Sequence, residues 1–168
     1  MEKDSLIIMV VIIGLVAVST FIIEGQSITG EAVRFGTKTY EIDAVKVKDQ
    51  GKYSVDGLSF SLNYGESKMI FDGIKLFHES SLSSGVRFEL SGACKNVYTI
   101  SATYGGSDPS WENLGGFEVK ANGKTVGQFA LKEGESVVLP DKSQITLLNI
   151  HKSYSGDNIG LNFELACI

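Results

Sequence analysis

The feature that most constrains this chain is that it repeats itself in strands. The segment from Phe60 to Asp72 recurs from Phe129 to Asp141 with six identities and one Ile/Leu match over 13 residues, at a constant offset of 69. Flanking matches keep the same order: Tyr40, Ile42 and Ala44 with Tyr98, Ile100 and Ala102, then Ile74-Lys-Leu76 with Ile145-Thr-Leu147. Phe88-Glu-Leu90 then matches Phe163-Glu-Leu165, each with a cysteine soon after, Cys94 and Cys167. The offset grows from 58 to 75 along the chain, as insertions in the second copy's loops require.

Within each copy apolar and polar residues alternate with period two, as in Thr39–Val47, Leu58–Leu62 and Val86–Leu90. Such alternation gives a strand one buried and one solvated face. Asp56-Gly57, Asp72-Gly73, Asn122-Gly123 and Asp108-Pro109 separate the runs as turn signals. No useful helical stripe follows Ile23. The expected fold is therefore an all-β ectodomain of two related small β-sandwich or half-barrel modules, 38–93 and 94–168, the second a duplicate of the first. The alternative is one larger sandwich with coincidental hairpin similarity. Gly65 and Gly134 are expected to supply a positive φ at equivalent Gly-Glu-Ser turns. Asp72 and Asp141 lead the next turn of each copy.

Ahead of this part, Leu6 to Ile23 is a run of 18 residues without a charge. As a helix it would be about 27 Å long, close to a hydrocarbon core of roughly 30 Å. The first reading is a transmembrane signal anchor over 1–24, contacting the lipid bilayer, with a polar linker over 25–37. A cleaved secretory signal is the second, with Ala17 and Ser19 as a small-x-small site but little positive charge before the run. The third is the assembly helix of a pilin-like subunit, although MEKDS lacks the basic residue and glycine that usually precede such a helix. No lipobox cysteine follows. The positive-inside comparison is nearly balanced, so the outward orientation of the ectodomain rests on the layout alone.

The pattern L-x-x-G-E-S-x-x-L-x-D (Leu131 to Asp141), followed by I-x-L-x-x-I (Ile145 to Ile150), resembles β repeats of archaeal S-layer-type envelope proteins. The stretch Ile28-Thr-Gly-Glu-Ala-Val33 beyond the anchor is similar to exported archaeal proteins. The resemblance implies an envelope role, on a chain far shorter than full S-layer proteins, and carries over no catalytic residues.

Chemistry is sparse in the sequence. A formal net charge of −5, from 15 basic and 20 acidic residues, argues against nucleic-acid binding. There is no H-x-H, C-x-x-C, H-E-x-x-H, G-x-S-x-G or P-loop pattern, so no metal, cofactor or catalytic residue is expected. His78 and His151 read as polar residues at strand ends, at non-equivalent positions. Glu66, Glu135, Asp72 and Asp141 read as solvated turn carboxylates, since they lack alternating calcium-loop ligands. The loop holding Asp108 and Trp111 has no counterpart in the first copy; Trp111 reads first as an aromatic closing the edge of the core, with a contact point as the alternative. Cys94 and Cys167 end equivalent strands; in an oxidising exterior they are expected to pair, two buried thiols being the alternative. The chain therefore reads as a membrane-anchored, non-enzymatic envelope protein with a protein partner or self-association. A pilin-like filament subunit is the alternative, and an exported ligand-binding protein or hydrolase a distant one.

Overall fold

The computed structural model describes residues 38–71, 73–104, 113–152 and 158–168. The expected anchor and linker, with Asp72, Asp108 and Trp111, lie outside the described residues. Each alternating run forms a strand: β1 (Thr39–Val47), β2 (Gln50–Val55), β3 (Leu58–Asn63), β4 (Ser67–Met69), β5 (Lys75–Leu82) and β6 (Gly85–Ser91) in the first half. The second half holds β7 (Val97–Tyr104), β8 (Gly115–Ala121), β9 (Lys124–Leu131), β10 (Ser136–Val138), β11 (Gln144–His151) and β12 (Asn158–Ala166). A 3-10 turn over Ala93–Lys95 joins the halves. Among the described residues no helix is long and apolar enough to cross a membrane.

The strands form two six-stranded antiparallel sheets, ordered β10-β11-β12-β1-β2-β3 and β4-β5-β6-β7-β8-β9. Separate modules at 38–93 and 94–168 are therefore not what the chain builds. Each sheet takes three strands from each half, because β1 pairs along its whole length with β12, and β6 likewise with β7. Period-two patterning fixes which face of a strand is buried and leaves its neighbours unspecified.

The two halves repeat each other in detail. Tyr40 lies opposite Leu165 as Tyr98 lies opposite Leu90, and Ile42 opposite Phe163 as Ile100 opposite Phe88. Gly65 (φ +80°) and Gly134 (φ +83°) occupy the same turn. The Gly65 N–H donates to the His78 carbonyl (3.0 Å) and the Gly134 N–H to that of Leu147 (2.7 Å). Glu66 and Glu135 close these turns by accepting from the backbone N–H of Asn63 and Lys132, both at 2.8 Å. These bonds correct one register. Leu76 matches Ile145 and His78 matches Leu147 at the unchanged offset of 69, so Ile74 does not match Ile145. A short alternating run fits itself equally well after a slip of two, and only the turn decides. Beyond this point both strands bulge at the same place, after His78 and after Leu147.

The core between the sheets follows the same symmetry. Equivalent residues Phe88 and Phe163 meet at 6.3 Å between ring centroids. Tyr53 packs edge-on against Phe88 at 5.4 Å, as its equivalent Phe117 does against Phe163 at 5.1 Å. A contact of a residue with its own counterpart is what a two-fold arrangement produces.

Candidate functional site

The outward face of the first sheet carries the most distinctive polar group in the described structure. On β1 the alternation that buries Tyr40, Ile42 and Ala44 turns Glu41, Asp43 and Val45 outward. Across the ladder Asp43 faces Asn162 of β12, which faces Asn149 of β11, and His151 faces Gly160. Gly160 is where the site depends on a missing side chain. A Cβ there would collide with the Ala44 carbonyl, and equivalent Gly85 meets the same obstacle at Ala102. Over that bare position His151 reaches diagonally, bringing Nε2 within 2.9 Å of Asp43 Oδ1.

The contact is close but not aligned. By distance it is an ion pair; by angle it is not a hydrogen bond, and both atoms are buried without a hydrogen-bond partner among the described residues. The angle is the stricter criterion, because the imidazole fixes where its nitrogen points. Asn162 Oδ1 is the third such atom. Its amide nitrogen donates to Glu41 Oε1 at 3.0 Å, which orients the side chain, and its oxygen has no hydrogen-bond partner among the described residues. The polar contact with Asp43, helped by the carboxylate's charge and opposed by partial burial, holds the His151 pKa above the ordinary imidazole value. The cluster borders an open groove of about 880 Å³, lined among others by Lys52, Ser54, Ser59, Phe60 and Asn158.

A second groove, of about 460 Å³, occupies the equivalent place on the other sheet. It is lined by Leu82, Arg87, Ser101, Glu118 and Phe129, which match His151, Asn162, Asp43, Ser54 and Phe60. There Arg87 Nε donates to Ser101 Oγ at 2.7 Å.

His78 is not at a strand end in solvent. It is fully buried between the sheets, with Nδ1 2.5 Å from Tyr53 Oη and Nε2 3.2 Å from Ser81 Oγ. Burial pushes the Tyr53 pKa far up and the His78 pKa down, so the phenol keeps its proton and the ring stays neutral. The phenol then donates to Nδ1, which leaves the ring proton on Nε2 facing Ser81. That tautomer is the reverse of what activates a serine. The group ties two sheets together instead. Since the matching pair Phe117 and Leu147 is apolar, Tyr53→Phe and His78→Leu are each expected to destabilise by about 1–3 kcal/mol, through the polar atom they strand. The double substitution is expected to cost much less than their sum. Urea unfolding of the three variants measures the coupling, and additive losses would sink this account.

Of the other residues singled out in the sequence, Cys94 and Cys167 form a disulfide with Cα atoms 4.9 Å apart. Asp141 is no free turn carboxylate. It accepts from Ser143 Oγ (2.5 Å), Tyr98 Oη (2.7 Å) and Asn96 Nδ2 (2.7 Å). Partial burial works to raise its pKa, and the bonds from Ser143 and Tyr98 outweigh it and hold the pKa below the usual range. The cluster of Asp43, His151 and Asn162 escaped sequence reading because it joins three strands with no local motif. Among the described residues no three histidines, cysteines or carboxylates converge as metal ligands. No family model matches the chain, and no curated protein or solved structure does.

Proposed function

We propose that this chain is a membrane-anchored cell-envelope protein with a structural or interaction role and no enzymatic activity. Its ectodomain lies outside the cytoplasm and works through a protein partner or self-association, without nucleic acid. The observation that carries this reading is the disulfide between the only two cysteines of the chain, since such a bond persists in an oxidising compartment. The charge-free run Leu6–Ile23 supports the anchor. The ectodomain arose by duplication of one six-strand unit, a reading supported by the matching turns, bulges and core contacts of its halves. Envelope proteins need rigidity more than mobility, and a sandwich with a covalent tie suits that.

Fractionation of the native source tests the proposal. The expected result is full-length protein retained in membranes through carbonate extraction, released by detergent, with both cysteines resistant to alkylation until reduced. Protein that carbonate extracts at full length, or that alkylates at both cysteines without reductant, would overturn it. A mature chain beginning within the apolar run would favour a processed, pilin-like subunit instead.

A further inference from the structure

We infer that β3 pairs edge to edge with β3 of a second copy of this chain, antiparallel, joining two first sheets across a two-fold axis at Phe60. The observation that carries this is that Leu58-Ser59-Phe60-Ser61-Leu62 reads the same in both directions. An antiparallel ladder centred on Phe60 therefore sets Leu58 against Leu62, Ser59 against Ser61 and Phe60 against itself. A two-fold contact demands such self-matching, because one patch must fit its own copy. A second copy is then the partner of the proposed function, and the pairing needs neither the anchor nor the compartment to hold.

The backbone is set for that register. Asn63 turns its N–H and C=O away from β2, donating to Glu66 Oε2 at 2.8 Å and accepting from the Glu66 N–H at 3.0 Å. Ladder groups alternate along a strand, so Ser61 and Ser59 turn theirs the same way, and among the described residues nothing bonds to them. In the centred ladder each serine exchanges both bonds with the opposite serine of the second copy. Phe60 then takes a position without ladder bonds, where facing side chains come closest. Leu58, left 40% exposed, is covered by Leu62 of the second copy. Moving the centre to Ser61 would call on Asn63, whose groups Glu66 already holds, and moving it to Ser59 would call on Gly57 in the turn.

The other edges lack these properties. β4 and β10 have three residues each. β9, the equivalent of β3, bulges opposite Val119 and Lys120, and its Gly127-Gln-Phe-Ala-Leu131 does not match itself reversed. β3 keeps register with β2 over all six residues, without the charge, proline or bulge that holds natural edges apart. Lys68 of β4 holds its ammonium 4.8 Å from the Phe60 ring centroid, so each copy brings a cation near the axis and moderate salt favours the pairing.

Ser61→Pro tests this, since the proline removes an N–H that faces away from β2 and leaves the ladder within the monomer intact. Ser59→Lys, a second variant, puts a charge on the same edge at an exposed position. Ala130→Pro makes the equivalent change on β9 and serves as the control. Full-length protein is followed by sedimentation equilibrium in density-matched detergent at moderate salt, with folding checked by circular dichroism. Wild type and Ala130→Pro are expected to show a concentration-dependent dimer. Folded Ser61→Pro and Ser59→Lys are expected to weaken it by more than about tenfold, through the edge bonds they remove or crowd. A monomeric wild type, or a dimer that folded Ser61→Pro and Ser59→Lys keep, would overturn the inference. Either result would leave the outcome of fractionation standing, so the pairing and the envelope role fail separately.

Discussion

A chain divided between Lys95 and Asn96 is expected to assemble from its two fragments, while neither fragment folds as a monomer alone. The cut falls in the 3-10 turn between β6 and β7, where the halves meet in sequence. Folded alone, the first half would bare the edge of β1 that β12 covers from Thr39 to Val47, and the edge of β6 that β7 covers from Gly85 to Ser91. Each is a long, unprotected edge with one strongly apolar face, a template for association. A half of roughly 60 residues is also near the lower limit for a self-sufficient core. Here that core would lack one side of the Phe88–Phe163 contact. Co-expressed fragments are therefore expected to co-purify with the sheet content of the intact chain, in reductant as well as with the Cys94–Cys167 bridge formed. Separate fragments should be unfolded or should dimerise, as β6 of one copy can pair with β1 of another in the geometry that β7 and β12 use here. Size exclusion with far-UV circular dichroism decides; a folded, monomeric half would refute the interleaved account.

That interleaving marks where the sequence stops being legible. Strand identity could be read from local alternation: Thr39–Val47 and Leu58–Asn63 form strands where the pattern places them. The turns could be read too, because a glycine with positive φ and a glutamate reaching back to the preceding strand are local chemistry. Pairing partners could not, since each half satisfies the same pattern whether its sheets close on themselves or on the other half. The slip of Ile74 against Ile145 has the same origin. His78 and His151 were indistinguishable in sequence, each after an apolar run. The bulge after His78 has its counterpart after Leu147, so His78 points inward beside Tyr53, and His151 outward to Asp43. Residues of equal local context acquire opposite environments because inward or outward is set by register.

Replacing both cysteines, Cys94→Ser with Cys167→Ser, is expected to lower stability by about 4 kcal/mol, and the unfolding temperature by on the order of 10 °C. The bridge spans a sequence separation of 73, so it removes a large loop-closure entropy from the unfolded ensemble. Its placement adds to the effect in this fold. Cys94 lies in the turn between β6 and β7, and Cys167 just past β12, where its N–H donates to the Lys38 carbonyl at 2.8 Å. The bridge thus ties the end of the first sheet's central pair, β12 and β1, to the junction of the halves in the second. An opposing cost is visible: Cys94 and Lys95 adopt left-handed φ values of +49° and +59°, which residues with a Cβ resist. Releasing that strain returns part of what the loop loses, so the measured change should fall somewhat short of the chain-entropy figure. Urea unfolding of wild type and double variant measures it. The slope against urea should steepen in the variant, because an uncrosslinked unfolded chain exposes more surface. A loss under about 1 kcal/mol with an unchanged slope would mean that the ladders hold the halves together without covalent help.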